Sequence, residues 1–500
     1  MNSLRHFPLG TPFPDSPHAV ISSLPTMADV HGYEQHDPRV VDAMASGYPR
    51  FVVHAYIKQL IDFYIERDGL VGRAGVLIPS RRAANDLVSS FAENLEAYQV
   101  EEAVYFVCCE SSDADLVKRV GKFVQHTGCG LSSRQAEDLL LGYGKLERQF
   151  AEDSYAGAAL PEAERLLAEQ IGCRTEDVLV CASGMNAFYA GFRAVQEFQA
   201  GRGRKRWLQL GWLYLDSGVI LQEFLNDGER LEVCYNVFDL DQIIEKIRSY
   251  GEELAAVVVE CPTNPLIQVC ELRKVAKVVR AQGGVMVVDP TIASIYNVDV
   301  LPHADLLVGS LTKYAANEGD VMIGALALNK ESSHYGDLVL RTSAFHQQPY
   351  ERDLARLVYE MENAPELVAQ MNANAMRLSQ FLCKHPAVKR VLCAESADHI
   401  EDVAKSSTSV GAVITIELNG SMEVFYDAVQ LMKGPSFGAR FTLLCPFVYL
   451  AHYGMVTCGE GRAFLASVGI DPELIRISVG TEPYAEIEAV FDQALGLCIN

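Results

Sequence analysis

The sequence predicts an α/β chain: a large, mostly parallel sheet covered by helices on both faces, followed by a smaller C-terminal α+β domain. Two observations carry this. Between 178 and about 330, short apolar runs (VLVCAS, WLQLGWL, AAVVVE, VMVVD, DLLVGS, IGALALN) alternate with helical patterns such as LRKVAKVVRAQ, the order of repeated βαβ units. A long helical run then spans 349–385, and the apolar runs GAVITIELN, ARFTLLCPF and LIRISVG follow it as strands of a separate domain closed by the helix EIEAVFDQALGLC. At 500 residues the chain exceeds one comfortable core, so two or three domains are expected.

Taken in order, residues 1–38 are rich in proline, histidine and turn formers and read as an extended arm. HAYIKQLIDFYIER reads as a helix, and GVLIPS, RRAANDLVSSFAENLEAY and AVYFVCC read as strand, helix and strand of a small α/β unit. The stretch 126–172 is expected to be mostly helical and ends in PEAERLLAEQIG, whose apolar residues recur at helical spacing. The domains are therefore placed at 1–125 (arm and small α/β extension), 126–345 (large domain) and 346–500 (small domain).

Composition narrows the function. Apolar residues make up 49% and charged residues 21%, with a net charge of −23. That balance argues against nucleic acid, whose phosphates call for a basic face, and against anionic membrane surfaces. No apolar run approaches the ~18 residues a membrane helix needs. The thirteen cysteines show no zinc spacing and read as buried thiols of a reducing compartment. A cytoplasmic protein acting on small molecules, without a metal, is expected.

The chemistry gathers at strand ends. Lys313, in Ser310-Leu311-Thr312-Lys313-Tyr314, follows the strand LLVGS and lies 24 residues after Asp289, at the end of GVMVVD. A lysine forms an imine with an aldehyde, an aspartate holds a pyridinium nitrogen protonated, and hydroxyls and backbone N–H groups bind phosphate; pyridoxal 5′-phosphate requires all three. Ser183-Gly184-Met185 follows a strand and opens a helix, a start suited to phosphate. Tyr214 follows another strand and is suited to stacking or to core packing. In Glu260-Cys261-Pro262-Thr263-Asn264-Pro265, two prolines fix a loop that aims Asn264 at the sheet edge where ligands of open α/β sheets bind.

These segments resemble the PLP-dependent Cys/Met-metabolism family. ECPTNP, VVDPT and SLTKYAANEGDVMIG carry the likeness over roughly 140–500, and the arm, GYPRF (47–51), LSSRQAE (131–137) and NVDVLPHADLLVGSLTK are similar to its fungal-type cystathionine γ-synthase branch. The resemblance implies an aspartate-aminotransferase-like fold (PLP fold type I) and a homodimer or homotetramer with shared active sites. It implies Lys313 as the cofactor-bearing lysine and proton shuttle, Asp289 on the pyridine nitrogen, Tyr214 stacked on the ring, and Asn264 near the ring's 3′ oxygen. It further implies Gly184, Met185, Ser310 and Thr312 around the phosphate, Arg476 on the substrate α-carboxylate, and Ser436 beside it. The implied reaction is γ-replacement on an O-acyl-L-homoserine by a thiol, most simply cysteine to give cystathionine. An O-acylhomoserine sulfhydrylase, a γ-lyase and a γ-substitution enzyme using a carbon nucleophile are the alternatives within the class; a catalytically inactive regulatory subunit is the one outside it.

Some positions depart from the family pattern. Ala316-Asn317 replaces Gly-His, Phe441 stands where a glutamate is expected, and Tyr155-Ala156-Gly157 lacks the arginine of Tyr-x-Arg, for which Arg134, Lys145 and Arg148 are the substitutes considered. His452 reads as packed or superficial, Cys181 and Cys261 as inert thiols, and Glu318 and Asp320 as loop residues.

Overall fold

A computed structural model describes residues 3–45, 52–92 and 94–498; GYPRF (47–51) lies outside the described residues. The large sheet has seven strands in the order Val178–Cys181, Gly324–Leu328, Leu306–Ser310, Val285–Asp289, Leu254–Glu260, Arg206–Leu210 and Arg230–Cys234. Six run in the same direction, and Gly324–Leu328 is antiparallel to both its neighbours. The edge strand Arg230–Cys234 was missed from the sequence because RLEVC is half polar and its positions are only partly buried.

Successive side chains of a strand point to opposite faces. Val257, Val259, Met286 and Val288 therefore join one core with the helices Ala159–Ile171, Leu240–Tyr250 and Leu272–Ala281, while Ala256, Val258, Val285 and Val287 join another with Gly184–Ala200. Both cores are lined by apolar side chains, and the parallel strands end along one edge of the sheet. Cys181, Glu260, Asp289 and Ser310 all end strands there.

The C-terminal sheet runs Val388–Cys393, Val413–Leu418, Ile475–Ser478, Leu443–Cys445 and Met432–Lys433. Its central strand carries Arg476, opposite Thr415 on one side and Cys445 on the other. The helical run 349–385 is two helices, Glu351–Met361 and Ala364–Leu382, because Pro365 opens the second and has no N–H with which to continue the first. Helices cover less of 126–172 than expected: Gly144, at φ +64°, follows the end of Ser133–Gly142, and no helix resumes before Ala159–Ile171.

The small α/β unit is a three-stranded antiparallel sheet with Tyr105–Glu110 between Arg73–Ile78 and Glu96–Gln99. The sequence expected helix through to residue 98. Instead the helix Arg81–Ser89 stops where the hydroxyls of Ser89 and Ser90 both turn back to the Asp86 carbonyl, at 3.0 and 2.7 Å, the competition with backbone bonding that disfavours serine inside helices.

The arm is bound rather than loose. Pro12–Phe13 pairs with Ile21–Ser22, and Met27–Glu34 is a helix capped by Thr26. Leu24 N–H donates to the Lys433 carbonyl (3.0 Å) and Val20 N–H to that of Gly319 (2.9 Å), in the loop that carries Lys313. Phe13 meets the edge of Phe441 at 4.3 Å. His18 binds Ser133 Oγ at 3.0 Å and Glu137 at 3.3 Å. That carboxylate already pairs with Arg352 at 2.8 Å, and burial followed by the charge of Arg134 pushes the imidazole down to about 2, so His18 is a neutral bridge.

An unfolded histidine titrates near 6.5, so below that pH the unfolded state gains a proton that the folded state refuses down to about 2. Stability should fall as pH drops below ~6.5, by up to ~1.4 kcal/mol per pH unit from this group. In denaturation midpoints measured from pH 7 to 5, His18→Gln should flatten the slope; a slope identical to the wild type would refute the assignment.

Candidate active site

Between the large sheet's edge, the C-terminal sheet and the N-terminal unit lies a cavity of about 300 Å³. Its lining includes Gly184, Met185, Tyr214, Asn264, Asp289, Ser310, Thr312, Lys313 and Arg476. Nine positions spread over nearly three hundred residues thus meet at one place. Ser436, buried, joins them by accepting a hydrogen bond from Lys313 Nζ at 3.0 Å.

Lys313 is held by its neighbour. Tyr314 adopts φ +62° and is fully buried. Its hydroxyl donates to the Ile292 carbonyl (2.8 Å) and accepts from Ala412 N–H (3.1 Å), and its N–H donates to the Gly438 carbonyl (2.7 Å). Gly438 is required there: at φ +74°, a Cβ on it would lie 2.8 Å from the Tyr314 nitrogen. Burial, and then the charge of Arg476, hold the Lys313 amine well below the ordinary lysine range, because a desolvated ammonium is costly.

Asp289 pairs in register with Glu260. It accepts from Thr291 N–H (2.8 Å) and Thr291 Oγ1 (2.5 Å), and Thr291 Oγ1 in turn accepts from Ser310 N–H (2.9 Å). One threonine therefore ties the acid to the strand that leads into Lys313. Burial pushes the Asp289 carboxyl up to about 6, while burial and the neighbouring Asp289 raise Glu260 further above its usual range. Glu260 accepts from the Tyr214 N–H, which fixes the backbone beneath that ring.

Ser183 caps the helix Gly184–Ala200, leaving the first-turn N–H groups of Gly184 and Met185 without intrahelical acceptors. A Cβ on Gly184 would meet that of Ser310 at 2.6 Å, so glycine brings the helix start against the lysine strand. The Thr312 hydroxyl donates to the Ile323 carbonyl (3.3 Å) and accepts from Ile323 N–H (3.0 Å).

Arg476 is buried between the rings of Phe437 and Phe447, 4.8 and 5.0 Å from their centroids. It donates to Asn264 Oδ1 (3.1 Å) and to the Ser436 carbonyl (3.2 Å), and its Nε finds no partner among the described residues. A buried donor left over in this way calls for an acceptor.

The departures from the family pattern lie off the cavity. Ala316 is fully buried, and Asn317 donates to the Glu360 carbonyl at 3.1 Å and accepts from Arg440 N–H at 2.8 Å. Phe441 belongs to the arm's apolar contact. Tyr155 N–H donates to the Ala355 carbonyl, and Lys145 sits 5.2 Å from the Phe63 ring. Of the substitute cations, Arg134 alone lines the cavity, and it is committed to Glu152, Asp353 and the Asp320 carbonyl. His452 packs against Trp212 at 5.0 Å. The thiols of Cys181 and Cys261 are buried, which raises them and keeps them protonated. Glu318 pairs with Arg440 at 2.6 Å and Asp320 with Arg356 at 3.0 Å. Sequence reading missed Thr291, Phe437 and Phe447, which bear no reactive group and act by position; VVDPT carried the only signal, for Thr291.

A buried amine, a buried acid, a helix start and an arginine with a spare donor define a site for a carbonyl cofactor bearing a phosphate and for an amino acid. The model of the Cys/Met metabolism PLP-dependent enzyme family matches residues 163–496. The chain is 33% identical over 488 residues to an L-2-amino-4-chloropent-4-enoate dechlorinase/desaturase from Streptantibioticus cattleyicolor, covering 97% of each chain. It is 28% identical to a cystathionine gamma-synthase from Neurospora crassa, covering 98% of each. Among solved structures it is similar to cystathionine gamma synthase from Xanthomonas oryzae pv. oryzae in complex with cystathionine (TM-score 0.59, 21% identity, 71% of this chain and 90% of that one), a likeness of fold. The chain belongs to the Cys/Met metabolism PLP-dependent enzyme family: it has PLP fold type I and uses pyridoxal 5′-phosphate.

The low basicity of Lys313 has a measurable consequence. Between pH 7 and pH 9, capture of pyridoxal phosphate by cofactor-free protein, followed by its visible absorption band, should speed up by much less than tenfold per pH unit, and Lys313→Ala should lose the band. A rate climbing roughly tenfold per pH unit, as an ordinary lysine of pKa ~10.4 would give, would count against the buried neutral amine.

Proposed function

We propose that the chain removes a leaving group from the γ-carbon of an α-amino acid and, with a thiol present, replaces it; an O-acyl-L-homoserine with cysteine, giving cystathionine, is the leading substrate pair. The observation that carries this is the pairing in one cavity of a buried Lys313 amine, 3.0 Å from Ser436 Oγ, with Arg476 and its unpartnered Nε. The cystathionine gamma-synthase relatives support the thiol reaction.

In this reading Lys313 would hold the cofactor, and Asp289, Asn264 and Tyr214 would serve its ring. Gly184, Met185, Ser310 and Thr312 would serve the phosphate. When bound, pyridoxal phosphate supplies a sink for negative charge at the substrate's α- and β-carbons. Arg476 binds the α-carboxylate and sets the orientation of Cα. Lys313 Nζ, neutral because it is desolvated, would take the Cα proton, pass it on, and then take a Cβ proton, whose bonding pair lets the γ group leave with its own electrons as an anion; Ser436 Oγ fixes where that amine points. Asp289 stays within reach of neutral pH until a cationic partner draws it down. A homodimer or homotetramer in solution belongs to the same reading.

A second reading is elimination without any nucleophile, favoured by the 33% identity with the dechlorinase/desaturase over 97% of both chains. Incubating the enzyme with O-acetyl-L-homoserine, with and without cysteine, separates the two. Cystathionine formed only when cysteine is present supports replacement; 2-oxobutanoate without thiol supports elimination; no release of acetate in either case would sink γ-chemistry on this substrate. Arg476→Lys should cost about 1.5–3 kcal/mol of charge-assisted hydrogen bonding, read as a KM roughly 10- to 150-fold higher with kcat less affected.

A further inference from the structure

One short segment of the N-terminal unit, residues 125–128, touches the chain at two separate places around the cavity. The helix Ala114–Thr127 is anchored by Leu116, Val120 and Phe123 in the core that this unit builds with Ile78, Leu87 and Val107. Its last turn reaches the cavity, where Gln125 and Gly128 join the lining. Asp216 is buried in the first turn of the helix Leu215–Glu223. One of its oxygens accepts from Gln125 Nε2 (2.9 Å) and from His126 Nδ1 (3.0 Å). A buried carboxylate is costly unless donors satisfy it, so these two side chains fix where that helix begins. Tyr214 is the residue that caps it.

Gly128 does the same for the helix Gly184–Ala200. It ends the helix Ala114–Thr127 at φ +63°, and its carbonyl accepts from Ser183 Oγ at 3.0 Å. That hydroxyl oxygen in turn accepts from Asn186 N–H at 3.0 Å, which caps Gly184–Ala200. The approach leaves no room for a side chain: a Cβ on Gly128 would collide with Ser183 Oγ and lie 2.6 Å from the Asn186 nitrogen. Further from the cavity, Phe123 meets Phe224 at 5.6 Å and Tyr189 at 6.5 Å, so the same three helices are also joined through their apolar faces.

We infer that residues 125–128 form a clamp through which the N-terminal unit positions the cofactor. Gln125 and His126 hold the ring end through Asp216 and Tyr214, and Gly128 holds the phosphate end through Ser183. All three are positioning residues, because each acts through another. The segment lies upstream of residues 163–496, which the family model matches; the clamp gives the N-terminal unit a task in cofactor binding. It rests on the ring and phosphate ends proposed above and is independent of the γ-chemistry.

Pyridoxal phosphate and pyridoxal, which lacks the phosphate, separate the two ends. Each is titrated into the full chain stripped of cofactor, and binding is followed by the visible band and its circular dichroism. His126→Leu should weaken both ligands about 10-fold or more, the scale of a lost hydrogen bond to a charged group, and should diminish the dichroism. His126→Asn, which keeps a donor near Nδ1, should restore most of that loss. Gln125→Met, at a less buried position, tests the same end should His126→Leu not fold. Gly128→Ala should weaken pyridoxal phosphate about 10-fold and pyridoxal less than about 2-fold, as expected of a displaced helix start. Gly172→Ala is the control: Gly172 ends the helix Ala159–Ile171 at φ +79° with nothing near its Cβ position, so it carries the backbone strain alone and should change neither affinity. Unchanged affinities in both His126→Leu and Gln125→Met, or equal weakening of the two ligands by Gly128→Ala, overturn the clamp. Two further titrations show whether the site assignment is at fault instead. If Tyr214→Ala binds pyridoxal as the wild type does, or the wild type binds the two ligands equally, the ring or phosphate end is misplaced and the clamp falls with it.

Discussion

The structure turns on two basic side chains buried together, Lys313 and Arg476. A guanidinium does not give up its proton in a protein, whereas an ammonium does so readily when desolvated. The cost of burying both therefore falls on the lysine, whose amine is driven towards its neutral, reactive form by burial and by Arg476. Neither sheet creates this alone. The large sheet brings Lys313 to its edge, the C-terminal sheet brings Arg476 on its central strand, and Ser436 joins them by accepting from Lys313 and offering its carbonyl to Arg476.

Keeping the lysine in place occupies much of the surrounding structure. Tyr314 fastens its loop on one side. On the other, Asp320 pairs with Arg356, Asn317 and Glu318 bind Glu360, and Arg134 joins Asp320, Asp353 and Glu152. Buried ion pairs of this kind add little net stability but are costly to break singly, so they specify one loop geometry. The arm adds a further strap through Val20 and Phe13. The family departures at Ala316, Asn317 and Phe441 fall in this supporting layer. They lie where the lysine loop and arm are held, whereas Phe437 and Phe447 flank Arg476 in the cavity wall.

The fold class and much of the site were legible in the sequence because they depend on local patterns: apolar runs of strand length, helices between them, and reactive residue types at strand ends. Lys313, Asp289, Asn264 and Arg476 were each recognisable in their own segment. RLEVC escaped because an edge strand is only half buried and lacks an apolar run, and the strand at Glu96–Gln99 because the serines that end the preceding helix act through a local hydrogen bond that periodicity does not register.

The sequence by itself determined which groups are available: an amine, an acid, an arginine and a helix start. Tertiary structure alone decided how they behave. The state of the Lys313 amine depends on an arginine 163 positions further along the chain, the commitment of Arg134 depends on carboxylates from three other segments, and the apolar wall beside Arg476 depends on two phenylalanines that look in sequence like any others. Desolvation and charge pairing are set by distances across the fold, which linear order does not contain.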